Sequence, residues 1–288
     1  MAPSRALLAW VEQVVGASVV ACERLTGGIT SNVHLVSVAD VAYVLRSWDD
    51  PMPDWARGAV PRETAILAAL ASTDVPTPRL IAAIDEAPGP ALLMTRVPGR
   101  VDLMPRDRDT WLREMATMLA RIHRQAVAAP PFESWIDASQ LVAPAASPRL
   151  ELWREAFELL ATPSPTERTF IHRDYQHFNL LWTGDELTGV VDWTYASLGP
   201  PSLDVGHCRL NLALLFSVEI AERFRELYEA ASGRRVEPWW DVHAFMSFGP
   251  DWQQFLPLQI DGRAPLDVAG MLPRVETLLE AALARVTR

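Results

Sequence analysis

The sequence predicts an α+β fold with two lobes. We expect a five-stranded antiparallel sheet with one helix in the N-terminal lobe, and a larger, mostly helical C-terminal lobe with an embedded β-hairpin. Three observations predict this fold. Short β-rich runs fill much of residues 1–97, apolar residues at helical spacing dominate residues 98–288, and two β-rich runs around a Gly-Asp turn interrupt the helical part. We place the connector between the lobes at about residues 95–100.

The N-terminal lobe is predicted to begin with an amphipathic helix over residues 4–16, for which Ser4 supplies the N-cap. A three-strand meander, a proline-rich loop, a helix that starts at Pro61 and two further strands follow. The predicted strands are Val19–Leu25, Asn32–Val38, Val41–Ser47, Leu80–Ile84 and Ala91–Val97, and the predicted helix between them is Arg62–Ala71.

The C-terminal lobe is predicted to start with a long helix over Arg108–Ala128, because apolar residues recur on one of its faces. A second helix is expected near Arg149–Leu160. The hairpin pairs Leu180–Thr183 with Gly189–Val191. From Leu203 onward the pattern is helical almost to the end of the sequence.

Composition excludes several classes of partner. The formal net charge of −10 gives a surface that repels nucleic-acid backbones and anionic membranes. No apolar run reaches the roughly 18 residues that a membrane span needs. The two cysteines, Cys22 and Cys208, form no CxxC pair, and no signal-peptide pattern is present. We therefore expect a cytoplasmic monomer or homodimer that binds neither nucleic acid nor membrane.

The strongest functional signal is the segment from Phe170 to Trp182, which contains His172-x-Asp174-x4-Asn179. This spacing matches the catalytic loop of kinases. Phosphoryl transfer needs a carboxylate that orients the attacking hydroxyl and takes its proton, and hard oxygen ligands for Mg²⁺. A loop that carries Asp174 and returns five residues later with Asn179 brings both to one reacting centre.

A second carboxylate, Asp192, follows the predicted hairpin thirteen residues after Asn179. At that place it would bridge Mg²⁺ to the β- and γ-phosphates. Each residue alone also has a purely structural interpretation, since an Asp before Trp often caps a turn. The complete set, with apolar residues before His172 and after Asn179, favours catalysis.

The N-terminal lobe contributes phosphate-binding candidates. Gly27 and Gly28 lie between two predicted strands, where glycines let backbone N–H groups approach phosphate oxygens. Arg46 lies near the end of the third strand and Glu63 in the first turn of the next helix, which is the arrangement of the kinase ion pair. All 26 basic residues are arginine, so a side chain that holds phosphate as a cation must be Arg or His.

Together these motifs resemble the aminoglycoside phosphotransferase and choline kinase superfamily, which has a protein-kinase-like fold. Within this superfamily the chain resembles the antibiotic phosphotransferases. The matching segments are Leu25–Asn32, Tyr43–Arg46, Arg62–Glu63, Leu93–Gly99, His172–Asn179, Val191–Trp193 and Gly199–Asp204. Two departures matter. Asp192 precedes Trp-Thr instead of Phe-Gly, which favours a small-molecule substrate, and Arg46 replaces the usual lysine, as in macrolide kinases.

The resemblance implies a role for each matching residue. Asp174 would be the catalytic base, Asn179 and Asp192 would bind Mg²⁺, and Asp204 would brace the catalytic loop. ATP or GTP would be the phosphoryl donor. The nucleotide-binding residues implied are Gly27, Gly28, Ser31, Asn32, Arg46, Glu63, Met94, Thr95 and Val97, with the purine received by the backbone near Met94–Val97.

The acceptor is less well specified. The aromatic residues Trp239, Trp240, Phe248, Trp252 and Phe255 lie in the region where relatives bind substrate, and form either a stacking surface or part of the core. Asp241 or Asp251 would contact the amines of an antibiotic. His177 and His207 are expected to be hydrogen-bonded loop groups.

Three functions remain open from the sequence. The first is a kinase, whose acceptor hydroxyl belongs to an antibiotic or to a primary metabolite such as choline, homoserine, a pentose or fructosamine. A pseudokinase that binds nucleotide without catalysis is the second class, although Asp174, Asn179 and Asp192 are intact. A helical scaffold is the third, and it leaves the catalytic block unexplained.

Overall fold

The computed structural model describes residues 2–26, 30–48, 56–247 and 252–286. The predicted α+β fold of two lobes is confirmed: a five-stranded antiparallel sheet is followed by a mostly helical lobe. In the N-terminal lobe the helices and strands are α1 (Arg5–Val15), β1 (Val19–Arg24), β2 (Asn32–Val38), β3 (Val41–Ser47), α2 (Ala59–Leu70), β4 (Leu80–Ile84) and β5 (Ala91–Thr95).

The sheet has the strand order β1-β2-β3-β5-β4, with every neighbouring pair antiparallel. Helix α1 covers one face, where Leu7 and Val11 pack with Leu45 and Leu93. Side chains on β3 alternate between the two faces. Arg46 therefore lies on the opposite face from Leu45, the face that α2 covers.

The C-terminal lobe is built around one fully buried helix. Its helices and strands are α3 (Arg108–Ile122), α4 (Leu150–Leu160), β6 (Thr169–Ile171), β7 (Leu180–Thr183), β8 (Glu186–Val190), β9 (Ser197–Gly199), α5 (Pro201–Leu215), α6 (Val218–Ser232), α7 (Pro238–Met246), α8 (Trp252–Ile260) and α9 (Met271–Val286). Every residue of α5 is buried, and α6, α7 and α9 pack against it. None of the helices in the described part of the chain is both long and apolar enough to cross a membrane.

Two small antiparallel ladders in this lobe position the candidate catalytic loop. β6 pairs with β9, and β7 pairs with β8. The loop between β6 and β7 holds residues 172–179, so both of its ends are fixed by strand pairing. A short 3₁₀ turn, His177–Asn179, leads directly into β7.

Several boundaries differ from the sequence prediction. Helix α2 begins at Ala59, because Gly58 in a left-handed conformation forms its N-cap and precedes Pro61 by three residues. Helix α3 ends at Ile122 instead of Ala128. The backbone amides just after Ile122 donate to carbonyl oxygens three residues back instead of four, as Gln125 N does to Ile122 O. β6 and β9 have only three residues each, which is too short for a periodic signal in the sequence.

The connector between the lobes is held against the hairpin. Arg100 and Trp182 exchange two backbone hydrogen bonds of 3.0 and 2.8 Å, and Thr188 Oγ1 donates to Pro98 O at 2.8 Å. Gly99 lies between them with φ of 107°. A Cβ there would approach Thr188 Oγ1 to 2.6 Å and Trp182 O to 2.8 Å. Gly99 is therefore required both by its backbone conformation and by this close contact.

We expect Gly99→Ala to lower the free energy of unfolding by about 2–4 kcal/mol, the sum of left-handed backbone strain and steric overlap. The matched control is Gly233→Ala, where φ is 71° but nothing lies within 4 Å of the added Cβ. That variant should lose only about 1 kcal/mol. Urea unfolding of both measures the difference, and equal losses would show that the connector contact is unimportant.

Candidate active site

The candidate catalytic loop is anchored by one buried carboxylate from α5. Asp204 Oδ2 accepts the backbone N–H of His172 at 2.8 Å, and Oδ1 accepts that of Arg173 at 2.7 Å. His123 Nε2 lies 3.1 Å from Oδ2. Although burial opposes ionisation, the bond to His123 and these amides hold the pKa of Asp204 below its usual value. Asp204 thus supports the loop, as the resemblance implied.

Asp174 is surrounded by three side-chain nitrogens. His207 Nε2 lies 2.8 Å from its Oδ1, and Gln176 Nε2 donates to the same oxygen at 2.7 Å. Asn179 Nδ2 donates to Oδ2 at 2.9 Å and to the backbone oxygen of Asp174 at 2.9 Å. These contacts fix the orientation of a carboxylate that is still 26% exposed.

The same contacts keep Asp174 ionised. Burial alone would raise its pKa, but the bond and charge of His207, aided by His172 and Asn179, lower it below the usual value. A carboxylate near neutral pH can accept a hydrogen bond from a hydroxyl and receive its proton as that oxygen attacks. The geometry therefore suits a general base.

Asn179 and Asp192 are brought together by the backbone of the hairpin. Val191 N donates to Asn179 O at 3.0 Å, and Val191 O contacts His172 Nε2 at 3.0 Å. Asp192 follows with φ of 66°, a left-handed conformation that is uncommon for a residue other than glycine. Such outliers are typical of functional sites, where the surrounding contacts hold a side chain in one direction.

The side-chain oxygens of these two residues fit a magnesium ion. Asn179 uses its Nδ2 toward Asp174, which leaves Oδ1 without a donor among the residues that the structure describes. Asp192 Oδ1 is bound by Arg46, while Oδ2 has no donor within that same part of the chain. Carboxylate and amide oxygens are the protein ligands that Mg²⁺ prefers, with phosphates and water completing its octahedron.

Arg46 links the N-terminal lobe to this site. Its Nη1 donates to Glu63 at 2.8 Å, to Asp192 Oδ1 at 2.7 Å and to Thr194 Oγ1 at 2.9 Å, and its Nε donates to Ser31 at 2.9 Å. Burial opposes its charge, but Asp192 and Glu63 raise the pKa of Arg46 above its usual value. The alternation along β3 and the early start of α2 bring this pair into contact.

Glu63 itself is held by the residues that follow Asp192. Its Oε2 accepts a 3.0 Å bond from Thr194 Oγ1, and its Oε1 accepts the Trp193 backbone N–H at 3.3 Å. The Asp192–Thr194 segment is thus tied to both Arg46 and Glu63. Thr194 is a participant that sequence reasoning did not identify.

The other predicted nucleotide residues are only partly placed. Met94 is buried in β5, and Thr95 N donates to Arg79 O at 2.9 Å, so that amide is already used. Asn32 begins β2, and Val97 lies in the connector beside Gly189. Gly27, Gly28 and Asp251 lie outside the described residues, as does the side chain of Trp252.

Asp241 does not have the position that a substrate contact needs. It is fully buried in α7, where its Oδ2 pairs with Arg209 and Arg285. The prediction that it meets an amine of the acceptor is corrected on this ground, because a buried carboxylate between two guanidinium groups is already neutralised. Its neighbours Trp239 and Trp240 donate their Nε1 hydrogens to backbone oxygens of Leu159, Thr162 and Pro165.

The two tryptophans also line a cavity. Its volume is about 340 Å³, and its wall includes Phe132 and His243. Trp239 and Trp240 therefore pack against neighbouring segments and also form part of the cavity wall. Phe255, the other described member of the predicted aromatic cluster, is exposed on α8 and does not line this cavity.

Each of the two histidines near the loop matches its prediction only in part. His207 lies on helix α5, three residues after Asp204, and contacts Asp174. The one-turn spacing of Asp204 and His207 is the signal that could have revealed a shared face. His177 is buried in the loop, and neither of its ring nitrogens has a hydrogen-bond partner within the described ranges. It packs instead against the rings of Trp111, Phe178 and Phe216.

Comparison with known proteins shows the family. The model of the phosphotransferase enzyme family, APH, matches residues 21–245. A mouse protein, acyl-CoA dehydrogenase family member 10 (Mus musculus), is 25% identical over 229 residues, which cover 69% of this chain. The chain spans only about a fifth of the length of that relative, 21%.

Solved structures show the same fold. The apo form of a thermostable mutant of aminoglycoside phosphotransferase APH(4)-Ia has a TM-score of 0.65 at 16% identity, over 96% of this chain and 98% of that chain. Macrolide 2'-phosphotransferase MphH from Brachybacterium faecium has a TM-score of 0.62 at 19% identity, over 95% and 97%. A ternary complex of the APH(4)-Ia mutant contains ADP and hygromycin B, with a TM-score of 0.64 at 17% identity over 96% and 98%.

The burial of His177 predicts a pH-dependent stability. Burial, and to a smaller extent the charge of His207, lower the pKa of His177 from 6.5 to about 3. Between pH 6.5 and 3 the unfolded chain therefore binds a proton that the folded chain does not, and stability falls as the pH falls.

We expect His177→Phe, which suits the aromatic surroundings, to weaken this dependence. The stability difference between variant and native protein should grow in favour of the variant as the pH is lowered from 7 to 4. Chemical denaturation at a series of pH values measures it. Parallel stability curves for the two proteins would contradict the assignment of a buried neutral imidazole.

Proposed function

The chain belongs to the phosphotransferase enzyme family, and we propose that it is a Mg²⁺-dependent small-molecule kinase that transfers the γ-phosphoryl group of ATP or GTP to a hydroxyl. The observation that supports this most strongly is the convergence of Asp174, Asn179, Asp192 and Arg46. Hydrogen bonds and the backbone join the four residues. Asn179 Nδ2 donates to Asp174, and the backbone oxygen of Asn179 accepts from Val191 N. Asp192 follows Val191 in the chain and accepts a bond from Arg46.

Asp174 acts on the acceptor. Its carboxylate accepts the hydrogen bond of the attacking hydroxyl, orients it, and takes its proton as the oxygen–phosphorus bond forms. The bond between the γ-phosphorus and the bridging oxygen breaks, and the electron pair leaves with the nucleoside diphosphate. His207, Gln176 and Asn179 hold the carboxylate in place, so Asp174 contributes positioning, and Mg²⁺ and Arg46 would add electrostatic stabilisation.

Arg46 and the two metal-ligand candidates act on the donor. Arg46, held by Glu63 and Ser31, offers a fixed positive charge to the phosphates. When bound, Mg²⁺ would neutralise charge on the β- and γ-phosphates. Asn179 Oδ1 and Asp192 Oδ2 would hold it, because both oxygens lack donors within the described ranges. Arg46 differs from the usual lysine in having donors on several nitrogens, so that Nη1 binds Glu63 and Asp192 while Nε binds Ser31.

The names of the similar structures suggest an antibiotic acceptor, an aminoglycoside or macrolide, with resistance as the biological consequence. A primary metabolite such as choline, homoserine, a pentose or fructosamine is the alternative. The intact Asp174, Asn179 and Asp192 argue against a pseudokinase. The two cysteines, which form no disulfide, support a cytoplasmic setting.

The base assignment predicts that Asp174→Asn abolishes transfer, with a fall of at least about 100-fold in kcat, because an amide cannot take the proton. Binding of Mg·ATP or Mg·GTP should stay close to native, since the variant keeps the size of the side chain and changes none of the groups assigned to the nucleotide or the metal. A coupled assay of ADP or GDP release with a panel of hydroxyl compounds measures turnover. Near-normal turnover by the folded variant would refute the assignment.

The metal assignment predicts a different pattern for Asp192→Asn. Replacing the carboxylate removes a charged Mg²⁺ ligand and also the ion pair with Arg46, so affinity for Mg·nucleotide should fall by roughly 10-fold or more. Titration calorimetry with and without Mg²⁺ measures this. Affinity for metal-free nucleotide should change much less, and an equal change in both conditions would argue against a metal ligand.

A further inference from the structure

Arg173, the residue directly before Asp174, has a buried guanidinium group without an acceptor among the residues that the structure describes. The residue is only 4% exposed. Its backbone N–H is bound to Asp204, and its φ is 76°. No carboxylate, carbonyl or hydroxyl of the described residues accepts a hydrogen bond from its side chain, and the buried Nη2 has no partner.

Two aromatic rings enclose this guanidinium. Its Cζ lies 3.9 Å from the centroid of the Trp135 ring and 4.6 Å from that of Phe132. Burial lowers the pKa of Arg173 to about 10, with Asp204 and Asp174 opposing the shift. The group therefore stays cationic at neutral pH. Rings stabilise a cation through their faces but leave its N–H edge unsatisfied.

Beyond Arg173 and Trp135 lie a second aromatic ring and a second cation, Tyr195 and Arg62. Trp135 is 47% exposed and meets the Tyr195 ring edge-on, with centroids 4.9 Å apart. The guanidinium of Arg62, from α2 in the other lobe, lies 5.7 Å above the Tyr195 ring. Arg62 likewise has no carboxylate partner among the described residues. Arg62 and Arg173 thus place two unpaired cations around the loop that begins with Asp192.

This arrangement does not suit a polycationic acceptor. Amines need carboxylates, and Asp241, the described residue that the sequence offered for them, is neutralised internally by Arg209 and Arg285. A buried cation with an unsatisfied edge is costly, and an anion supplied by a ligand offsets that cost. The guanidinium edge matches a carboxylate by two parallel hydrogen bonds.

We propose that Arg173 binds a carboxylate of the acceptor, so that the substrate is a hydroxy acid with an apolar or aromatic body that contacts Trp135. Arg173 is then a specificity-determining residue, one position before the base. Trp135 lies in an irregular segment, residues 132–137, and covers the guanidinium, so the acceptor passes along this ring to reach it. The assignment rests on the proposed kinase function and selects the substrate class within it.

Binding measured without turnover tests this proposal separately from catalysis. The enzyme saturated with Mg·ADP is titrated with aromatic and aliphatic hydroxy acids, with the primary amides of the same acids, and with amino alcohols of the same skeletons. We expect at least one hydroxy acid to bind about 10-fold or more tighter than its amide and its amino alcohol. If no acid binds, or if the amino alcohols bind tighter, the proposal is overturned, whereas the kinase function is judged by nucleotide-dependent transfer in the full panel.

Variants assign the preference to Arg173. Arg173→Met keeps the stem and removes the charge, so it should abolish the difference between acid and amide and leave Mg·ADP affinity within about twofold. Arg173→Lys should restore part of the preference, because it returns a charge without the planar fork. The exposed Arg106→Met is the matched control and should behave as the native protein. Equal weakening of acid and amide binding by both Arg173 variants, or a preserved preference in Arg173→Met, would contradict the proposal.

Discussion

The whole site depends on the buried carboxylate of Asp204. It accepts two consecutive backbone amides, from His172 and Arg173, and so fixes the direction in which the chain leaves β6. Arg173 is held in a left-handed conformation, and Asp174 is thereby turned toward His207, one helical turn beyond Asp204. Burying a charged carboxylate costs free energy unless its oxygens have hydrogen-bond partners. The two amides and the contact with His123 supply these partners to Asp204. Helix α5 thus supports the loop and orients its catalytic side chain from one buried face.

A second constraint joins the lobes. Arg46 from β3 is shared by Glu63 of α2 and by Asp192 of the C-terminal lobe, and Thr194 bonds to both carboxyl groups. Two carboxyl groups share one guanidinium, so a further cation at Asp192 Oδ2, which has no donor in the described part of the chain, is electrostatically favoured. Breaking one member of such a buried network leaves the others uncompensated. The network therefore ties the residues proposed to bind the nucleotide to both lobes.

Much of this could be predicted from the sequence, for identifiable physical reasons. The bounds of β2, β3, β4 and β7 follow from alternation and turn residues, and the spacing from His172 to Asn179 predicts one catalytic loop. The limits lie where tertiary contacts override local signals. Gly58 makes α2 begin earlier than predicted, and strands of three residues are too short to show a periodic pattern. The sequence gives no sign that Asp241 is buried, because its partners Arg209 and Arg285 approach it only in the folded structure. The isolation of Arg173 is likewise visible only in three dimensions, because its neighbours Phe132 and Trp135 precede it by some forty positions in the sequence.

The central claim is that Asp174, Asn179, Asp192 and Arg46 converge on one metal-bound triphosphate. A crystal structure with magnesium and a non-hydrolysable ATP or GTP analogue tests it most directly. The account predicts a magnesium ion bound by Asn179 Oδ1 and Asp192, with the terminal phosphate between Arg46 and Asp174. A nucleotide bound elsewhere, or a metal that touches neither Asn179 nor Asp192, would contradict it.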